Sequence, residues 1–325
     1  MSRARPSGLP LRILVFTNMF PTPSKPWWGT FVAEQVDDLR QIGVEVSVLH
    51  FDGTDDRMNY ARAARAFRRA MRSGGFDLVH AHYGLVGAIA VSQRRIPVVT
   101  TFHGGDFTGL VPWHAAISRI VARLSTPIVV TPEGVTRLGL EAAAVIPVGV
   151  NTTLFRPGDR SAARRALGLD ESAPYALLLG ARDDPNKRPD LFDAAVEHAR
   201  ATVPGLRTRS LEGLDRDEVV LLMNAVDVGV LTSDTEGSPV AVREALACNT
   251  PVVSVPVGSV PMVLSGLPGC AVEPYDPPRL GEAIVGALSA GRPQSLRDRA
   301  LESSGRSVAE RLVSVYDEVV GRSTG

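Results

Sequence analysis

The sequence predicts an α/β protein built from two doubly wound domains, each a parallel sheet covered by helices. Three observations carry this. Short apolar runs of the kind buried parallel strands show, at residues 11–16, 44–49, 97–101, 175–180 and 228–231, alternate with stretches of helix formers. The chain opens strand, helix, strand, as doubly wound sheets require. Its 325 residues suffice for two full cores. A Pro- and Gly-bearing stretch at 147–157 divides a basic half from an acidic one. Residues 1–156 hold 17 Lys/Arg against 11 Asp/Glu, and residues 157–325 hold 18 against 24, so the halves suit different partners.

Composition narrows the class further. Cys248 and Cys270 cannot make a disulfide framework and lack metal-ligand spacing, which fits a reducing compartment. No apolar run approaches the roughly 18 residues that span a bilayer. Residues 1–10 lead straight into a strand without a signal-peptide core. A cytoplasmic protein is expected, from a GC-rich and so bacterial genome: Lys25 and Lys187 are the sole lysines and every other basic residue is Arg. No nucleic-acid partner is expected.

The first half reads in order. After the strand at 11–16 comes a proline-bearing loop ending in Trp27-Trp28-Gly29. The two tryptophans either stack on a sugar or fill the loop. A helix over 30–42 and a strand over 44–49 follow, with no G-x-G-x-x-G, which disfavours a dinucleotide dehydrogenase. Residues 60–72 read as a helix with Arg62, Arg65, Arg68, Arg69 and Arg72 largely on one side. Such a helix is either a solvated face or a seat on the inner, anionic surface of a membrane. In the strand at 77–82, His80 and His82 share a face, and no third ligand for a metal is near. The strand at 97–101 runs into Phe102-His103-Gly104-Gly105-Asp106; strand ends are where ligands bind in open α/β sheets. Short strands at 127–131 and 144–146 complete this half.

In the second half a strand over 175–180 precedes Arg182 and Lys187, five residues apart, and a helix over 190–201. The chain then passes through 206–211 to a helix over 215–224. Residues 227–255, DVGVLTSDTEGSPVAVREALACNTPVVSV, form a strand, a polar loop, a helix over 240–247 and a strand. Pro239 suits the first turn of that helix. The free N–H groups and dipole there favour an anion, with Glu236 and Glu244 on either side. Helices are expected over 279–290 and 294–320, the end of the latter amphipathic.

The 227–255 run closely resembles the signature of retaining glycosyltransferases of the two-Rossmann (GT-B) class, glycosyl transferases group 1 type. That class includes sucrose and glycogen synthases and many bacterial cell-envelope enzymes. The family pattern of Glu, seven residues and Glu reads here as Glu236-Gly237 through Glu244-Ala245. The resemblance extends to Pro147-Val148-Gly149-Val150-Asn151 with Phe155-Arg156-Pro157, matching the family's hinge. It implies two Rossmann-like domains facing a cleft. The expected division is an acceptor domain over 1–157, a nucleotide-sugar domain over 158–305, and a last helix over 306–325 crossing back to the first domain. It also implies that Glu236 contacts the donor sugar, Glu244 the ribose, and the backbone of Gly237, Ser238, Pro239 and Val240 the sugar and phosphate. Arg182 and Lys187 would neutralise the diphosphate, whose charge grows as the glycosidic bond breaks. His103 would contact the transferred sugar, Asp106 would shape the acceptor side, and Gly29 matches the first Gly-rich loop, though Trp28 stands where the family often has another Gly. The His80-x-His82 pair, common in the family, reads as local structure or cleft lining. Family members usually carry a further βα unit before the helix at 215–224, and about 20 residues of it are missing here.

The carboxylate pair also bears on glycoside hydrolysis. On one helix Glu236 and Glu244 would lie about 12 Å apart, beyond the roughly 5–5.5 Å or 6.5–9.5 Å of hydrolase pairs. No Ser-His-Asp order, Walker loop or zinc spacing is present. The reading is transfer of a hexose, with retention, from a nucleoside diphosphate sugar to a glycan, lipid-linked or small-molecule acceptor, without metal or cofactor. The rivals are a catalytically inactive sugar-nucleotide-binding subunit, a phosphorylase or epimerase on the same fold, and a membrane-surface protein that ignores sugar nucleotides.

Overall fold

The computed structural model describes residues 10–53, 57–107 and 112–323. The reading of residues 1–9 as lacking a signal-peptide core lies outside them. The described residues fall into two compact units, each a Rossmann-like domain. One runs to Gly149 and resumes at Gly305; the other is Val150–Ser304. The division therefore lies between Gly149 and Val150, ahead of Pro157. From Val150 onward the chain already pairs with the second unit, its N–H donating to the Ser303 carbonyl at 3.0 Å.

The first unit holds six parallel strands: β1 (Arg12–Thr17), β2 (Glu45–His50), β3 (Leu78–His82), β4 (Val98–Phe102), β5 (Thr126–Val129) and β6 (Ala144–Val145). Their order is β2-β1-β3-β4-β5-β6. All of β3 and β4 is buried, as strands covered on both faces are, including His80, His82, Thr100 and Thr101. Helices α1 (Thr30–Gln41), α2 (Arg57–Ser73), α3 (Gly84–Ala90), α4 (Pro112–Leu124) and α5 (Pro132–Leu138) connect them. The sequence did not mark α3 to α5. They are short or rich in small residues: Gly84 and Gly87 on α3 leave no room for a side chain against Ser118 and Val121 of α4.

The second unit holds β7 (Tyr175–Leu178), β8 (Arg207–Ser210), β9 (Val228–Leu231), β10 (Val252–Ser254) and β11 (Ala271–Val272), all parallel, in the order β11-β10-β9-β7-β8. Between them lie α6 (Arg160–Ala166), α7 (Pro189–Arg200), α8 (Arg216–Ala225), α9 (Val240–Ala247), α10 (Val260–Leu264), α11 (Pro277–Ala290) and α12 (Leu296–Leu301). Strand β8 was not legible in the sequence. It is an edge strand of alternating Arg and small polar residues, half solvated. The chain goes from it straight into α8, which starts with a reciprocal capping box between Asp215 and Glu218.

The helix expected over 294–320 is two helices. The chain breaks at 302–304, where Ser304 pairs with Val150 in a parallel bridge. It restarts as α13 (Gly305–Ser323). Val308, Leu312 and Tyr316 of α13 are buried in one cluster with Ile13 and Val15 of β1 and Val32, Val36 and Leu39 of α1. Each such side chain contributes about 1.5–3 kcal/mol. A Cβ at Gly305 would fall 2.0 Å from the Asp38 carboxylate, so glycine is what lets α13 start against α1.

Candidate functional site

In the second unit the strand order reverses between β7 and β9. In open α/β sheets, ligands bind in the crevice beyond the carboxyl ends of the strands at such a switch point. Two loops leave the sheet there, 179–188 after β7 and 232–239 after β9. Asn186 stitches them: its Nδ2 donates to the Thr235 carbonyl (3.0 Å), its Oδ1 accepts the Thr235 hydroxyl (2.7 Å), and its carbonyl accepts the Asp234 N–H (2.9 Å). The Thr232 hydroxyl closes the stitch by donating to the Lys187 carbonyl at 2.7 Å.

This framework sets Lys187 against Glu236, Nζ to Oε1 2.6 Å, both half-buried or more. Gly180 makes the approach possible, since a Cβ there would lie 2.6 Å from Lys187 Cγ. Glu244 on α9 is 3% exposed and pairs with Arg216 Nη1 at 2.7 Å. Arg216 in turn lies over the Phe155 ring, 4.7 Å from its centre. Arg182 does not join Lys187. It forms a two-pronged pair with Asp193 (2.7 and 2.9 Å), whose hydrogen bond raises the guanidinium pKa. The two cations expected on one diphosphate are thus held by two different carboxylates.

Between the glutamates, Pro239 is the cap residue of α9, one place before the first turn, and Val240 begins the helix. The Gly237 carbonyl accepts the Ser259 N–H at 3.0 Å. Gly258, at φ +53°, presses on this loop so closely that a Cβ would meet the Gly237 oxygen at 2.4 Å. Ser238 is buried and accepts a 2.8 Å hydrogen bond from Arg243.

In the first unit the order reverses between β1 and β3, and the remaining candidates gather at the strand ends beside that point. Gly29 precedes α1 at φ +72°, with the Met19 carbonyl carbon 2.4 Å from where a Cβ would be, so no other residue fits. Trp27 is exposed and Trp28 partly buried. Phe31, at the start of α1, packs on His103, ring centres 5.1 Å apart.

His103 belongs to a chain of aromatic and imidazole groups. His82 Nδ1 lies 3.0 Å from His103 Nε2, His80 stacks on His82 at 4.5 Å, and His80 bonds to Thr101 and to the Tyr316 hydroxyl, both at 2.7 Å. One of His82 and His103 must donate to the other, which suits neutral rings. Burial pushes all three imidazoles down, His82 to about 3. His82 Nε2 and His103 Nδ1 remain buried polar atoms without a hydrogen-bond partner in the described structure. Among the described residues no group of three or more His, Cys, Asp or Glu is arranged to hold a metal.

Asp106 is buried and organises the turn. Its oxygens accept the N–H groups of Gly84 and His103, each at 2.7 Å. Burial raises its carboxyl to about 6 against those hydrogen bonds. Tyr83, beside Gly84, adopts φ 74°, ψ 147°, a region costing on the order of 1–3 kcal/mol for a side-chain-bearing residue. Its ring lies 4.7 Å from His103. Strain stored beside a strand-end histidine is a frequent accompaniment of function.

Asn186, Arg216, Arg243 and Tyr316 went unmarked in the sequence. Their partners lie from 5 to 236 residues away. For Arg243 alone there was a local signal, a charge beside Glu244 in a helix whose other residues are all apolar.

Comparison with known proteins agrees with this layout. Residues 27–154 match the Glycosyltransferase Family 4 model and residues 176–290 the Glycosyl transferases group 1 model. A D-inositol 3-phosphate glycosyltransferase of Acidothermus cellulolyticus is 28% identical over 314 residues, covering 77% of this chain and 69% of that one. Among solved structures, sucrose-phosphate synthase from Thermosynechococcus elongatus superposes with a TM-score of 0.79 at 18% identity, covering 96% of this chain and 100% of that one. Anabaena HepE in complex with UDP-glucose gives 0.68 at 16% identity, covering 94% and 99%. The fold and the matched models define a GT-B protein. Its second unit carries a Glycosyl transferases group 1 domain and its first a Glycosyltransferase Family 4 domain.

Proposed function

We propose that this chain transfers a hexose, with retention of configuration, from a nucleoside diphosphate sugar to a hydroxyl of a small phosphorylated polyol. The observation that carries the reading is the Lys187–Glu236 pair at the switch point of the second unit. A leaving nucleoside diphosphate gains negative charge as its bond to the sugar breaks, and a preorganised cation there stabilises the transition state more than the ground state. Donor binding exchanges partners: the sugar hydroxyls take Glu236, the diphosphate takes Lys187, and Arg182 leaves Asp193 for the same phosphates. Glu244, fixed by Arg216, receives the ribose. His103 acts on the transferred sugar as a neutral hydrogen-bonding group, and Asp106 shapes the acceptor side. The donor's own phosphate accepts the acceptor's proton, so the scheme requires no protein base. The acceptor class is taken from the relative named for D-inositol 3-phosphate, and UDP is the first nucleotide to try because HepE was solved with UDP-glucose.

The second part of the reading concerns α2, whose Arg62, Arg65, Arg68, Arg69 and Arg72 are exposed while Ala63 and Phe67 are buried. This face meets an anionic membrane surface peripherally. Among the described residues no helix is long and apolar enough to cross a membrane.

The test is incubation with UDP-, GDP- and ADP-hexoses and inositol 3-phosphate, with release of nucleoside diphosphate and the anomeric configuration of the product as readouts. Turnover with one donor and an α-linked product from an α-linked donor are expected. Lys187→Ala should lower kcat at least 100-fold while the chain remains folded under assay conditions. Normal turnover in that variant would overturn the assignment, and binding without turnover in the native chain would favour an inactive binding subunit.

A further inference from the structure

The helix that carries Glu244 hides a second charge that the scheme above does not use. Arg243, the fourth residue of α9, is 4% exposed. Helical side chains lean towards the N-terminus of their helix, and its guanidinium reaches back to the loop, donating to Ser238 Oγ at 2.8 Å and approaching Ser259 Oγ at 3.5 Å. Both serines are themselves buried. The two carboxylates of this loop and helix that flank Arg243 in sequence are each paired with another cation: Glu236 with Lys187 and Glu244 with Arg216. Among the described residues Arg243 has no ion pair.

The position is unfavourable three times over. A buried charge without an opposite partner loses its hydration uncompensated. Two hydroxyls satisfy only part of a guanidinium's five donors. The charge also sits at the positive end of the α9 dipole, where a cation is disfavoured. Burial lowers the guanidinium pKa to about 10, the same cost seen from the proton's side. Apolar side chains surround this helix, and one of them at position 243 would avoid all three costs.

We propose that Arg243 is a positioning residue of the donor site, its buried charge neutralised by the diphosphate of the bound sugar nucleotide. It acts through Ser238 and the α9 N-terminal loop, which it ties to Ser259 and the start of α10. It supplies fixed positive potential beneath the backbone N–H groups of the loop. The inference rests on the sugar-nucleotide reading of the second unit.

Calorimetric titration of the full chain with UDP, GDP and ADP, paired with urea unfolding without ligand, tests it. The native chain is expected to bind one of the three. Arg243→Met and Arg243→Gln should each bind that nucleotide at least tenfold more weakly, while unfolding without ligand at the same or a higher urea midpoint. A structural clamp predicts the reverse: a lower midpoint, with Gln, which keeps one hydrogen bond to Ser238, binding like the native chain. That pattern, or failure of both variants to fold, overturns the inference. If the native chain binds none of the three nucleotides, the sugar-nucleotide reading itself fails first.

Discussion

At the scale of single residues, the buried imidazoles make a prediction about acid. His80, His82 and His103 are held neutral by burial, whereas in the unfolded chain each protonates near 6.5. Their contribution is complete above that value and is lost as pH falls, at about 1.4 kcal/mol per pH unit per histidine. His50 and His114, also lowered by burial, act in the same direction. Asp38 and Asp106, both raised to about 6 mainly by burial, act the other way. Their contribution is complete below the ordinary carboxylate range and is lost as pH rises through about 6. The histidines are more numerous and begin to count at higher pH, so the urea midpoint should fall between pH 7.5 and 5.5. Asp106→Asn removes one opposing group and should steepen that fall. A midpoint that climbs on acidification would contradict neutral, buried rings. These histidines also mark the limit of what the sequence tells. The alternation of His80 and His82 on one face is local and was legible, but the 236-residue reach to Tyr316 is not written near either. The same contrast separates Lys187 and Glu236, readable from short motifs, from Arg216 and Asn186, which only the folded loops bring in.

At the scale of elements, what the sequence predicted best were those with a strong period or a sharp boundary. The bounds of α9 coincide with the reading because a Pro and an Asn stand at its ends. Helices α3 and α5 escaped because each is only seven residues long, and α3 carries glycine where it touches α4. The segment at β8 misled for a different reason. An edge strand needs charge more than apolar character to avoid pairing with other chains, so its arginines hide its strand period. The helix α2 follows the ordinary rule and offers a direct experiment. Each arginine near an anionic leaflet contributes about 1 kcal/mol, so Arg65, Arg68, Arg69 and Arg72 together would dominate adhesion. All four are exposed, so replacing them with glutamate should leave the unfolding curve unchanged. The native chain should co-sediment with phosphatidylserine vesicles and not with phosphatidylcholine ones, and the variant with neither. Equal sedimentation of both proteins would reduce α2 to a solvated face.

At the scale of the whole molecule, the second unit is an insertion within the first. Both crossings lie side by side: Val150 pairs with Ser303 and Ser304, and Gly149 sits so near Gly305 that a Cβ on it would fall 3.1 Å from the Gly305 Cα. Residues 150–304 have their own sheet and core. Expressed alone, they should unfold cooperatively. Residues 1–149 alone lack Val308, Leu312 and Tyr316 and should bind a hydrophobic dye and aggregate. Joining residue 149 directly to residue 305 should restore a folded first unit. Cooperative unfolding of 1–149 without that helix would show that α13 is dispensable to the core.

The same insertion sets a calendar for synthesis. A ribosome delivers the first unit's six strands early, yet the helix that seals one side of its core arrives only after the whole second unit has left the exit tunnel. At roughly 5–20 residues per second, the nascent chain waits about 10–30 s with that apolar face unsealed. The half that is begun first is finished last, and any chain cut short before α13 releases a mature second unit tethered to a first that chaperones and proteases will recognise as incomplete.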